Sequence, residues 1–486
     1  MTTRVNPAVR WLARVACWIF YRTDRIGAVP ERGAALLLPN HPNALLDPAL
    51  IWATAGRDVR FLAKSTLFHG PLGPVLAGAG AIPVYRKIDQ GVDTSKNAET
   101  FAAVSAALAA GDAICIFPEG ISHSTGRLEP LRTGAARMTL AAERDGTPVA
   151  LVPVGLNFDR KTAFRSRVTV VFGQPFSRRD LLPGQRVKDA GADAAGDAAA
   201  VRALTDRIAE HMRRLLVEAD PRADAALVER VDRLYAAARD RPADPAERLA
   251  RRRTIAEGME RLRQADPDRY DQILLRLRRY DQRLQRFGLR DRHLDWQIST
   301  RDAGTFAVRE IALGILLLPL CALGLVVFFV PYQLTGFIAR RVATKRDVLA
   351  TAQVFSGFAI YGAWLAAVGT VVWWAAGRTA AVAATLLMPA VAVAALFAIE
   401  RESAVIDAVR AWWLLRRAHR DTRARLRRRR SELADLLDEV NRWLWPEEGG
   451  QRPEVRGQGP EVGGQKPEAG GQGREPRGER PGTGNN

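Results

Sequence analysis

Three stretches without a single charged side chain constrain this chain most. Residues 311–330 read IALGILLLPLCALGLVVFFV, and the stretches 348–377 and 379–399 follow, with only Arg378 between those two. A helix rises about 1.5 Å per residue, so twenty apolar residues reach across the ~30 Å of hydrocarbon in a bilayer. All three are therefore expected to be membrane-embedded. Arg340, Arg341, Lys345 and Arg346 follow the first stretch. If positive loops stay in the cytoplasm, the last two stretches form a hairpin with Arg378 outside, and both ends of the first remain inside. Pro319 and Pro331 could bend the first stretch into a re-entrant dip.

The remainder has other textures. Residues 1–30 place Trp11, Leu12, Val15, Trp18 and Ile19 at helical spacing, with Arg10 and Arg14 on another face. That is the pattern of an amphipathic interfacial helix, with a core-packed first helix as the alternative. No long apolar run with a cleavage site marks this segment as a secretory signal. Over 31–178, short apolar runs recur: AALLLPN, VRFLA, AIPVY, DAICIFPEG, VALVPVGL and RVTVVFG. Continuous runs suit strands of a mostly parallel sheet covered on both faces, so an α/β domain with flanking helices is expected. The loop DAGADAAGDAAA should close it.

Residues 179–300 alternate Arg with Asp and Glu around an apolar stripe such as Val201, Leu204, Ile208, Met212 and Leu215. This reads as a charged helical region. The membrane-embedded part, 301–400, comes next. An Arg-rich helix over 401–446 follows, with eleven Arg against three acids between 401 and 430. A disordered Pro-Glu-Gly-Gln tail, 447–486, ends the chain.

The net charge of +19 would suit nucleic acid or an acidic membrane equally. Its concentration beside the apolar segments favours anionic phospholipid, with no nucleic acid expected. The three cysteines, Cys17, Cys115 and Cys321, lie too far apart for a disulfide framework or a spaced zinc site. Neither a metal nor a cofactor is expected, and the soluble part should face the reducing cytosol at the inner membrane.

The chemistry gathers where apolar strands end in polar turns. The first run leads into Pro39-Asn40-His41-Pro42-Asn43-Ala44-Leu45-Leu46-Asp47-Pro48. Ligands of open α/β sheets bind beyond the carboxyl ends of strands, where His41 stands. Asp47 before Pro48 reads as a helix N-cap, and the loop between can fold the carboxylate onto the imidazole, orienting it. A second strand runs into Pro118-Glu119-Gly120-Ile121-Ser122-His123, and between them a strand delivers Arg86. Arg132 follows, and Lys64 is a weaker candidate for contacting phosphate. Guanidinium groups grip phosphate through paired hydrogen bonds. With no nucleophile elbow and no phosphate loop of the Walker type, the pattern points to direct transfer driven by a general base.

These residues resemble the glycerolipid acyltransferases of the glycerol-phosphate and lysophosphatidate type, over about residues 33–176. The matching motifs are Asn40-His41 with Asp47, Gly80 through Arg86, Phe117-Pro118-Glu119-Gly120, and Pro153 in VALVPVGL. Five residues separate His41 from Asp47 where the commonest family form has four, and Ile121-Ser122-His123 replaces the usual Thr-Arg-Ser. Both features are similar to the fungal-type glycerol-3-phosphate and dihydroxyacetone-phosphate enzymes, which also carry membrane segments after the catalytic domain.

The resemblance implies acyl transfer from an acyl thioester, acyl-CoA or acyl-ACP as co-substrate, to a glycerol phosphate. His41 would be the general base and Asp47 its partner. Arg86, the Gly120 N–H and Arg132 would hold the acceptor phosphate. Glu119 would accept from a glycerol hydroxyl or fix Arg86, and His123 would touch polar substrate atoms or simply fill the turn. Lysophosphatidate as the acceptor is the alternative. A membrane-tethered scaffold or nucleic-acid-binding protein is the alternative outside enzymes, and it leaves the four ordered motifs unexplained.

Overall fold

The computed structural model describes residues 6–69, 73–86, 94–181, 194–218, 224–240, 244–295, 300–343, 349–417 and 420–446. The expected disordered tail, Lys345 and Arg346 lie outside the described residues.

Each of the six apolar runs is a strand: β2 (Ala35–Pro39), β3 (Val59–Lys64), β4 (Ile82–Val84), β5 (Ala113–Cys115), β6 (Ala150–Phe158) and β7 (Ser166–Phe172). A further strand, β1 (Tyr21–Ile26), lies ahead of the expected boundary at 31 and pairs in parallel with β7, Tyr21 opposite Ser166. The sheet order is β1-β7-β6-β2-β5-β3-β4, and every pairing is parallel except β6 with β7. The interior strands are continuously apolar because both faces are covered.

Leu37, Val59, Phe61 and Cys115 meet the helices Pro7–Phe20 and Leu46–Thr54 on one face. Leu36, Leu38, Ile114 and Leu151 meet the helices Asn97–Ala109, Gly134–Arg144 and Ala194–Arg213 on the other. The stripe Leu204, Ile208 and Met212 is thus sheet core rather than part of a separate charged block. The second half of the expected loop DAGADAAGDAAA is already helical. After β1 the chain turns at Gly27, φ 73°, where a Cβ would stand 2.1 Å from the Phe172 carbonyl oxygen; only glycine passes there.

The first helix is started by Asn6, whose side chain accepts from the Ala8 N–H, with Pro7 in the first turn. Cys17 and Phe20 bury into the core with Val9 and Ala13 packed beside them, while Trp11, Leu12 and Trp18 stay exposed. The helix is thus core-packed on one face, the second of the two expectations, and leaves an apolar face exposed.

Helices Asp224–Ala238, Pro245–Ala265 and Pro267–Arg286 form the charged helical region. The last two open on Asp-Pro pairs, Asp244 and Asp266 capping the backbone N–H groups that follow. The helix Arg420–Leu444 does not stand apart as a lipid-facing arm. Its Leu426 and Leu433 bury against Val231, Leu277 and Leu284, and Arg430 is buried on both carboxylate oxygens of Asp295. Seven-residue spacing puts the leucines on one face, so the helix packs into the charged region.

Two long helices carry the charge-free sequence. Thr300–Val342 runs unbroken through Pro319 and Pro331, so no re-entrant dip forms there. Leu349–Arg417 breaks at Gly377, φ 86° and ψ 174°, one residue before Arg378. A Cβ on Gly369 would meet the Thr385 hydroxyl at 2.8 Å, so the two legs lie back to back as the expected hairpin. The Thr300–Val342 helix packs on both legs, with Gly324 against Ala395 and the Phe328 and Tyr361 rings stacked at 5.9 Å. By length and composition these helices could cross a membrane, over 322–342 and 349–397 among the described residues. Trp374 at 96% and Leu386 at 74% exposure have almost no protein cover.

Candidate active site

Turns at the carboxyl ends of β2, β4 and β5 meet at one sheet edge. The β2 turn is held by neighbouring strands: the Asn40 side chain accepts from Leu156 N–H at 2.7 Å and donates to its carbonyl at 3.2 Å, both on β6. Asn43 donates to the Tyr21 hydroxyl at 2.7 Å, and that hydroxyl donates to the Lys161 carbonyl. The backbone turns through Ala44 at φ 45°. The loop closes despite its extra residue, and His41 Nδ1 lies 2.9 Å from Asp47 Oδ2.

Asp47 does not cap the helix as expected. The N-cap position is Leu45, and the Asp47 carboxylate, inside the first turn, folds back over the loop. Its Oδ2 accepts from the Asn43 backbone N–H at 2.7 Å. That oxygen is an acceptor, so Nδ1 of His41 carries the proton and donates. The lone pair then sits on Nε2, which makes no hydrogen bond among the described residues. Complete burial pushes Asp47 above the usual carboxylate range, an effect opposed by the hydrogen bond and charge of His41 and by the Asn43 N–H. Phe117 stacks on the imidazole at 4.0 Å and 22°, fixing the ring plane and excluding water from one side.

Glu119 ties the β2 and β5 turns together. Its Oε2 accepts from the His41 backbone N–H at 3.0 Å and from His123 Nε2 at 2.6 Å, while the His123 N–H returns to the His41 carbonyl at 3.1 Å. Its role is thus to fix His41 and His123; the bond expected to Arg86 is not among those it makes through these atoms. Arg86 instead donates to the Gly120 carbonyl at 2.8 Å. Gly120, at φ 74°, spends its N–H on Phe117 O at 3.0 Å, so the donor expected to meet phosphate closes the turn instead. Arg132 N–H bonds Pro118 O at 2.7 Å, and its exposed side chain passes beside Gly120. Lys64 ends β3 in register with Val84, two residues before Arg86. Seven of the eight candidates therefore share one bonded cluster, and Lys64 flanks it.

Lys161 was not foreseen. It follows β6 and donates to Pro42 O at 2.8 Å and Ser124 Oγ at 2.7 Å, clamping the two turns from outside. The available signal was a cation just past the carboxyl end of a strand. Beside it a cavity of about 240 Å³ separates Asn40 and His123 from Arg248 and Arg252 of the helical region. Arg252 pairs with Asp159 and Asp232, joining that region to the sheet. Cys17 and Cys115 are buried, which pushes the Cys17 thiol up to about 12 and raises Cys115 further from reactivity. Neither serves as a nucleophile.

Burial alone would lower the pKa of His123, but the hydrogen bond and charge of Glu119 outweigh it and raise the pKa. The folded state therefore holds this proton more tightly than the unfolded chain. The stabilisation is complete below the ordinary histidine value of 6.5 and fades as pH rises through the raised folded value. Across about pH 5 to 9, the melting-temperature gap between wild type and His123→Gln should shrink as pH rises. A gap independent of pH would remove the ion pair from the account.

Residues 21–157 match the acyltransferase family model, and residues 227–448 match the model described as glycerol-3-phosphate acyltransferase 2 C-terminal domain. The chain is an acyltransferase, similar over these two stretches to the glycerolipid acyltransferases. The first match begins at β1 and ends in β6, so it spans the whole His41 cluster up to Asn157. The second takes in the charged helices, the long apolar helices and Arg420–Leu444 together.

Among its relatives are two proteins of Saccharomyces cerevisiae. Glycerol-3-phosphate O-acyltransferase 1 is 32% identical over 131 residues, 26% of this chain and 16% of that one. Glycerol-3-phosphate O-acyltransferase 2 is 42% identical over 81 residues, 16% of this chain and 11% of that one. An uncharacterized acyltransferase of Schizosaccharomyces pombe is 28% identical over 50% of this chain and 34% of its own length. The matches thus span about a third or less of these relatives. The crystal structure of the 1-acyl-sn-glycerophosphate (LPA) acyltransferase of Thermotoga maritima matches 42% of this acyltransferase and 79% of that chain, at 16% identity and a TM-score of 0.29.

Proposed function

We propose that this acyltransferase is a membrane-bound enzyme moving a fatty acyl group from an acyl thioester to a hydroxyl of glycerol 3-phosphate or dihydroxyacetone phosphate. The observation that carries the reading is the bond from His41 Nδ1 to buried Asp47, which leaves Nε2 basic at the edge where Arg86 and Arg132 stand.

In this mechanism Nε2 takes the hydroxyl proton as the oxygen attacks the thioester carbonyl carbon. The C–S bond breaks, the ester forms, and the proton passes from the imidazolium to the departing thiolate. Asp47 holds the ring and offsets its transient charge. Arg86 and Arg132 receive the acceptor phosphate, with Lys64 as a further cation nearby. The apolar hairpin anchors the chain in the inner membrane. Arg340 and Arg341 keep the sheet on the cytoplasmic side, and the Gly377 turn lies outside.

The test supplies labelled acyl-CoA, which does not cross membranes, to sealed vesicles containing the full chain, with glycerol 3-phosphate, dihydroxyacetone phosphate or lysophosphatidate as acceptor. Inverted vesicles should acylate one of the first two; right-side-out vesicles should not. Transfer to lysophosphatidate alone would move the assignment to the second acylation. Arg86→Ala should raise the acceptor KM by about tenfold or more, the loss expected of one hydrogen bond to a charged group, with the donor KM unchanged. An unchanged acceptor KM would exclude Arg86 as a phosphate ligand.

A further inference from the structure

A second basic site lies at the opposite edge of the sheet from Arg86. Beside β1 runs a groove of about 740 Å³ lined by Arg14, Arg22, Arg25, Arg165 and Arg167. Among the described residues that line it, Asp24 is the one carboxylate, and it accepts from Arg167 and from Arg248 of the helical region. Five guanidinium groups lining one groove make a concave surface of positive potential, which favours an anion. Guanidinium is also the side-chain group best shaped for phosphate oxygens.

The surroundings indicate where that anion comes from. Arg14 lies on the first helix, whose Trp11 and Trp18 are 65% and 50% exposed. The Trp18 ring stands 5.5 Å from Phe397, near the C-terminal end of the charge-free stretch 379–399. Arg165 donates to the Trp18 carbonyl at 2.7 Å and lies over the Phe397 ring at 5.5 Å. Aromatic rings at the end of a membrane span mark the hydrocarbon boundary, so the groove opens at headgroup depth. β1 and β4 are the two outer strands, which separates this groove from the acceptor site by the width of the sheet.

We propose that the β1 groove binds the phosphodiester headgroup of an anionic membrane phospholipid and so sets how the catalytic domain sits on the bilayer. This rests on the membrane reading above but not on the acyl-transfer chemistry. The test reconstitutes the full chain in phosphatidylcholine nanodiscs with increasing phosphatidylglycerol and counts co-purifying lipid by native mass spectrometry. Wild type should retain phosphatidylglycerol selectively, and added salt should release it without releasing phosphatidylcholine. The variant Arg14→Gln/Arg22→Gln/Arg25→Gln should lose at least about tenfold in that selectivity. The exposed control Arg279→Gln should lose none, and the corresponding triple Lys variant should keep most.

Equal retention by the folded Gln variant would overturn the proposal, as would labelled inorganic phosphate binding as tightly as the lipid. Should the Gln variant fail to fold, salt-insensitive retention by wild type would overturn it instead. Release of the chain from membranes by carbonate washing would be a different failure, that of the membrane anchor.

Discussion

His41→Ala is expected to abolish measurable acyl transfer while leaving the protein folded and in its membrane. The structural bonds of residue 41 run through its backbone, N–H to Glu119 and carbonyl from His123, and alanine keeps both. What disappears is the imidazole stacked on Phe117 and bonded to Asp47. A positioned general base contributes about 10² to 10⁴ in rate, so the remaining rate should fall by about that factor. The check is kcat with labelled donor, alongside a thermal melt. Transfer near the wild-type rate by a folded variant would end the mechanism.

Asp47→Asn should lower kcat by about 10² to 10⁴ with little change in acceptor KM. An amide oxygen in place of Oδ2 can still accept from Asn43 N–H and His41 Nδ1, but the charge that offsets the imidazolium is gone. The amide NH₂ then replaces Oδ1, a buried atom without a hydrogen-bond partner among the described residues, leaving a donor unsatisfied at a cost of about 1–3 kcal/mol. If the amide turns over, its NH₂ faces Nδ1, selects the other tautomer and removes the base from Nε2. Either orientation lowers kcat, and the melt measures the structural part. A kcat within threefold of wild type would show that His41 needs no carboxylate.

Legibility in the sequence followed burial. β2 through β7 were visible as apolar runs because strands covered on both faces need apolar side chains at every position. β1 was not: YRTDRI is an edge strand whose side chains largely face water or arginine partners, so its polarity hid it. His41, Asp47, Glu119 and Arg86 were legible because strand ends followed by polar turns mark ligand sites. Glu119's actual partners were not, since they lie 78 residues away on His41 and four away on His123. The helix Arg420–Leu444 was read by its arginines, while its leucines made the contacts that place it.

By itself, the sequence determined an α/β acyltransferase domain with His41 as its centre and apolar segments too long to leave in water. Local composition suffices for that, because strand burial, turn chemistry and hydrocarbon length are each set within about twenty residues. The tertiary structure alone decided that His41 Nδ1 meets Asp47, that Glu119 and Lys161 lock the two turns, that Gly120 spends its N–H internally, and that five arginines line a groove beside β1. Those are matters of hydrogen-bond direction and charge placement between residues distant in the chain, and only the folded backbone brings them within a few ångströms of one another.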